Sequence, residues 1–103
     1  MSESFARATQ TLLVGDMHLE VASENGGSIV SLHRGDQILM QGCPGEAHLA
    51  CFPMVPYCNR IARGHFAFQG RNIALTPNFP SEVNTIHGMG WQAPWQVTTK
   101  TVN

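Results

Sequence analysis

The sequence predicts an all-β fold on three observations. Polar and apolar residues alternate with a period of two, Gly and Pro punctuate the chain between the alternating runs, and no stretch of eleven or more residues keeps an apolar stripe at helical spacing. Ten glycines and six prolines in 103 residues interrupt most candidate helices. A chain of this length has room for one small domain with a modest core, so residues 1–103 read as a single domain, with 1–10 expected to be flexible.

The elements follow in order. His18 to Ser23 alternates polar and apolar, Asn25-Gly26-Gly27 accepts positive φ, and Ser28 to His33 resumes the alternation, which predicts a hairpin. Arg34-Gly35-Asp36 turns the chain into Gln37-Ile38-Leu39-Met40, after which Gly42 and Pro44-Gly45 open a loop. A second hairpin joins Phe66-Ala67-Phe68 to Ile73-Ala74-Leu75 through Gln69 to Asn72, with Phe66, Phe68, Ile73 and Leu75 able to share one face. Phe66, Phe68 and Phe79 are expected in the core. Thr76 to Trp95, with Pro77, Pro80, Gly88, Gly90 and Pro94, reads as a long ordered loop, a kind of segment that is often functional. From Trp95 to Asn103 a strand pattern begins and stops without a turn or a partner strand. An open edge of that kind suggests the first part of a larger fold, and a route to self-association.

Composition excludes several functions. Six Lys and Arg against seven Asp and Glu give a net charge of −1, which offers no basic field for nucleic acid and no polybasic surface for lipid. No apolar run approaches the roughly 20 residues of a membrane span, and MSESFARATQ lacks the halves of a signal peptide, so the chain reads as cytoplasmic. Cys43, Cys51 and Cys58 are odd in number without a C-x-x-C pair, which points to buried or half-buried free thiols rather than a disulfide framework or a zinc knuckle. Cys58 has no His at fixed spacing to activate it.

The chemistry concentrates in Phe52 to Gly70, FPMVPYCNRIARGHFAFQG, and in Ile86-His87-Gly88. Arg60 offers five donors in a rigid fork, suited to neighbouring hydroxyls; a structural ion pair with Glu46, Glu82 or Asp36 is its bland alternative. His87 can donate to an oxygen in either protonation state, against the alternative of a loop histidine bonded to backbone. Asn59 is a weaker candidate, since bracing the turn that carries Arg60 is the commoner role. His33 and His65 fall in strand patterns and are expected to face solvent or a sheet edge. Trp91 can present a flat apolar face to a ligand, whereas Trp95, which opens a strand-like run, is assigned to packing.

Pro56-Tyr57-Cys58-Asn59-Arg60-Ile61, Gly64-His65-Phe66, Gly70, Leu75, Asn78 and Ile86-His87-Gly88 together resemble the N-terminal third of the aldose 1-epimerases, the galactose mutarotase family. Gly27 to Leu32 and Ile38-Leu39 extend the likeness, which runs from about Leu12 to Val97. The resemblance implies part of a large antiparallel β-supersandwich, incomplete at its C-terminus, that holds a hexose such as galactose or glucose and speeds exchange of its α and β anomers. The implied chemistry is two proton transfers that open and close the ring, with no metal or organic cofactor. The sugar-contacting arginine and histidine of the family fall on Arg60 and His87; its catalytic acid and base lie in later segments, so no catalytic residue is expected in this chain. Cys58 and Met89 depart from the family pattern, which has small residues before Asn-Arg and often a second Gly after His-Gly. A non-catalytic carbohydrate-binding protein on the same scaffold is the alternative function, and a folding unit without sugar affinity is a third.

Overall fold

A computed structural model of the chain describes residues 9–42 and 51–101. Eight strands are present among the described residues: β1 Gln10–Val14, β2 Met17–Ala22, β3 Ser28–Arg34, β4 Gln37–Gln41, β5 Arg60–Ile61, β6 His65–Phe68, β7 Arg71–Ala74 and β8 Thr85–Ile86. Every ladder between them is antiparallel, and helix among the described residues is confined to two three-residue 3-10 turns, Ala62–Gly64 and Gly90–Gln92. The all-β expectation holds. No helix among the described residues is long and apolar enough to cross a membrane.

The chain divides into two compact units, one formed by Met1–Pro53 with Trp91–Asn103 and the other by Met54–Gly90. In the first, β1 to β4 form a meander in chain order. Register explains why the two-residue alternation produces it. Leu12 faces Leu19, Leu19 faces Leu32 and Leu32 faces Met40, a cross-strand apolar row on one side of the sheet. Leu13, His18, His33 and Ile38 form the corresponding row on the other. Bulges at Glu20/Val21 and Leu32/His33 add one residue each and preserve this division.

The loop after β3's hairpin partner is tied down by its backbone. The Gly26 N–H donates to the Ala93 carbonyl at 2.8 Å, the Trp95 N–H to the Ser23 carbonyl at 2.8 Å, and the Ile29 N–H to the Cys51 carbonyl at 2.7 Å. Gly26 has φ +74, and a Cβ there would stand 2.1 Å from the Trp91 carbonyl oxygen, so the turn needs glycine twice over. Past Trp95 the chain runs without a ladder as far as Thr101, and Val97 and Thr99 line a groove of about 330 Å³ with Leu12 and Val21.

In the second unit, β6 and β7 form the expected hairpin, Phe66 opposite Ile73, turned by Gln69 and Gly70 at φ 50 and 76. The long loop Thr76 to Trp95 contains a strand that the pattern did not reveal, β8, paired with the two-residue β5.

Burial departs from the sequence expectation. Ala22 is the one buried apolar residue among the described ones, beside Ser23, Ser28 and Thr85. Phe66, Phe68 and Phe79 are 43%, 59% and 49% exposed rather than core; for Phe66 and Phe68 on β6, alternation assigns a residue to a face without saying that the face is buried. Trp95 is likewise exposed, although its ring lies against Gly27. Cys51 and Cys58 are free but exposed, not buried. Cys43 and the Pro44-Gly45 loop lie outside the described residues, as do residues 1–8 of the segment expected to be flexible; Gln10 opens β1.

Gly26→Ala is expected to lower the urea midpoint by more than Gly35→Ala, whose Cβ would meet nothing within 4 Å and which pays only the left-handed strain of roughly 1–2 kcal/mol. Equal losses for the two variants contradict the close approach to Trp91.

Candidate functional site

The two-residue ladder of the second unit sets Arg60 opposite Ile86 and Ile61 opposite Thr85. Two-residue strands have little stability of their own, so the site depends on what flanks them. Asn59 and His87, just outside the ladder, are joined by two reciprocal hydrogen bonds. The His87 N–H donates to the Asn59 carbonyl at 2.9 Å, and the Asn59 N–H donates to His87 Nδ1 at 2.9 Å. Both residues have positive φ, 68 for Asn59 and 63 for His87, conformations that need such support. Nδ1 accepts a proton-bearing nitrogen, so the neutral ring carries its proton on Nε2 and presents a donor there.

Asn78 holds the other side. Its Nδ2 donates to the Ile86 carbonyl at 2.8 Å and to the Gly88 carbonyl at 2.9 Å, while its Oδ1 accepts the Ile86 N–H at 2.9 Å. One amide thus satisfies three backbone groups around His87. Gly88 completes the turn: a Cβ there would stand 2.2 Å from the Val55 oxygen, which also accepts the N–H groups of Met89 and Gly90, each at 3.0 Å.

Arg60 is positioned through its Nε, which lies 3.0 Å from Glu82 Oε1. The side chain remains 51% exposed, and the Glu82 carboxylate 19%. Glu82 Oε2 accepts from the Asn84 backbone N–H at 3.2 Å and from Asn84 Nδ2 at 3.0 Å, and Asn84 Oδ1 in turn accepts the Arg63 N–H at 2.7 Å. The Arg60 hydrogen bond, then the Asn84 backbone bond, hold the Glu82 carboxyl below its ordinary value. A carboxylate so engaged is a weak base. With Nε committed, the two terminal NH₂ groups of Arg60 form the outer edge of the fork, the edge that binds paired oxygens. The arrangement therefore provides donors that can hold and polarise an oxygen, while Glu82 is poorly suited to remove a proton.

Of the sequence-derived candidates, Arg60, His87 and Asn59 come together on this ladder. The Arg60–Glu82 pair is one of the three partners anticipated, while Asp36 instead belongs to the turn after β3 and Glu46 lies outside the described residues. The Asn59 side chain braces the turn, its Oδ1 accepting the Arg60 N–H at 2.9 Å. Trp91 belongs to the first unit, where its half-buried ring lies 5.6 Å from that of Phe52 at 31°. Asn78, Glu82 and Asn84 as organisers were missed. The signal for Asn78 was an Asn between two prolines, where a side-chain amide is the natural partner for irregular backbone. Among the described residues no group of three or more His, Cys, Asp or Glu could hold a metal ion.

The model of the aldose 1-epimerase family matches residues 14–103. The chain belongs to that family. It is 36% identical over 91 residues to the "Uncharacterized protein YphB" of Escherichia coli K12, covering 84% of this chain and 30% of the relative, and 30% identical over 95 residues to the "Uncharacterized protein YihR" of the same organism, covering 90% and 31%. The crystal structure of a "Putative aldose 1-epimerase" from Escherichia coli K12 superimposes with a TM-score of 0.84 at 33% identity, over 91% of this chain and 33% of that one. This aldose 1-epimerase family chain thus spans about a third of the length of the relatives it matches, and its antiparallel β architecture is that of the mutarotase-like neighbour.

A depressed carboxyl pKa stabilises the fold above the ordinary Glu value of about 4.5 and loses that contribution as pH falls through the lower folded value. Glu82→Gln is therefore expected to lower the denaturation midpoint at pH 7 and to converge on the parent below pH 4.5, as followed by urea titration at several pH values. A difference that is constant with pH contradicts the Arg60–Glu82 assignment.

Proposed function

We propose that Arg60 and His87 hold a hexose in an aldose 1-epimerase, the enzyme that interconverts α and β anomers by opening and closing the sugar ring. The observation that carries this reading is the reciprocal Asn59–His87 pair beside the Arg60–Ile86 ladder, which brings two donors from distant sequence positions onto one short element. The Arg60 fork donates to neighbouring hydroxyls, and the His87 Nε2–H donates to the ring oxygen or a hydroxyl. Both favour negative charge on oxygen, the charge that develops when the anomeric hydroxyl loses its proton. The acid and the base that move the protons belong, by the family resemblance, to later segments of proteins about three times this length. The 103-residue chain by itself is expected to bind sugar without accelerating mutarotation. Asn59 acts mainly as the brace of Arg60, and Trp91 is the weaker candidate for a face against the sugar ring. A cytoplasmic setting fits the two free thiols among the described residues.

The test combines polarimetry with binding. A freshly dissolved pure anomer of glucose or galactose should relax at the buffer rate in the presence of the chain, while either sugar should shift the backbone amide resonances of Asn59 and His87. Arg60→Ala should weaken that binding about ten- to hundredfold, the worth of a hydrogen bond to a charged group. Acceleration by the chain overturns the division of labour, and sugar binding that survives Arg60→Ala overturns the site. Sugar binding without turnover in a relative of full family length as well favours the non-catalytic carbohydrate-binding alternative.

Self-association through a sheet edge is a further part of this reading. It is supported by β4, which lies at the edge of the meander with all five residues exposed, Ile38, Leu39 and Met40 among them. Light scattering should show a dimer at high micromolar concentration that Leu39→Lys converts to monomer. A monomer throughout, or a dimer indifferent to the lysine, argues against β4 as the contact.

A further inference from the structure

The polar side of the four-stranded sheet carries a histidine pair that the sugar chemistry does not use. His18 on β2 stands directly opposite His33 on β3. Their ring centroids are 5.3 Å apart and the planes are tilted by 48°. Both residues are half-buried, and no hydrogen bond ties either ring to another group among the described residues.

That separation, which lies within ordinary ring packing, also matches the spacing of two imidazoles on one metal ion. Two imidazoles on one tetrahedral ion, with nitrogen-to-metal bonds of about 2.0–2.1 Å, place their ring centroids about 5.2 Å apart, whereas a right-angled pair would bring them to about 4.5 Å. The rings turn freely about the metal–nitrogen bonds, so the 48° tilt is no obstacle. The backbone does the pre-ordering, since the opposed pair is fixed by the β2–β3 ladder and the bulge at Glu20/Val21 lies beyond it. Glu20 follows on the same face, roughly 7 Å further along β2, and its carboxylate, which accepts from Thr9 Oγ1 at 3.2 Å, adds a negative charge near the pair. The nearest cationic side chain in sequence, Arg34, is directed to Asp16 at 3.6 Å.

We propose that His18 and His33 form a bidentate site for a tetrahedral divalent cation, Zn²⁺, whose remaining positions are filled by water. With two protein ligands the site is open, unlike the closed four-ligand arrangement of a structural zinc centre. It is separate in sequence and in unit from Arg60 and His87, and it stands or falls independently of the sugar-binding reading.

The experiment uses ZnCl₂ and the 103-residue chain without an affinity tag. Calorimetric titration should show one saturable zinc per chain. His18→Asn and His33→Asn should each weaken it about tenfold or more, given that even outer partners of zinc ligands are worth roughly 10–100-fold, while His65→Asn on the exposed β6 should leave it unchanged. Imidazole NMR resonances of the unmutated chain provide a second readout that needs no variant to fold: zinc should shift His18 and His33 together and leave His65 in place. Absence of saturable zinc binding overturns the proposal. So does binding that persists in both asparagine variants, or zinc-induced shifts confined to His65, His87 or the cysteines.

Discussion

The second unit turns on the two hydrogen bonds exchanged between Asn59 and His87. Each residue sits in the left-handed region, which a non-glycine side chain adopts at a cost, and each supplies the partner that makes the other's conformation tolerable. From that exchange follow the register of the ladder beside it, the tautomer of the imidazole, and the proximity of Arg60 to the turn that carries His87. Asn78 secures the far side of the same turn through three backbone groups, and Gly88 permits the close approach to Val55. The ladder is only two residues long, so these side-chain bonds, not sheet formation, define the site.

Electrostatics assign the roles within it. Glu82 is the carboxylate bonded to Arg60, but it accepts hydrogen bonds on both oxygens and is held in its ionised form. It orients the arginine and is poorly suited to take a proton. A site of donors around a committed carboxylate is consistent with the proposed role of Arg60 and His87 in holding a hexose. One buried apolar residue among those described is little core for an antiparallel sheet.

Much of the architecture was legible in the sequence, for identifiable reasons. The hairpins β2–β3 and β6–β7 and the turn into β4 carry both signals that a strand pair needs, alternation and positive-φ turn residues, and they formed where those signals stood. β5 and β8 were invisible because two residues cannot show a period, and β1 because its run Gln10–Val14 is apolar at three successive positions. The exposure of Phe66 and Phe68 could not be read from alternation, which sorts residues between faces without saying whether a face is covered. Arg60 and His87 were found through their motifs. Their supports, Asn78, Glu82 and Asn84, depend on loop contacts across eight to twenty-two residues that no spacing rule encodes.

The most direct measurement of the central arrangement is the nitrogen NMR spectrum of the His87 ring near neutral pH, with the coupling across the Asn59 N–H···Nδ1 bond. The structure requires an unprotonated Nδ1, a proton on Nε2, and a detectable coupling from the Asn59 amide. A proton on Nδ1, or an Asn59 amide that exchanges as freely as an unbonded loop amide, would contradict the arrangement on which the sugar-binding account rests.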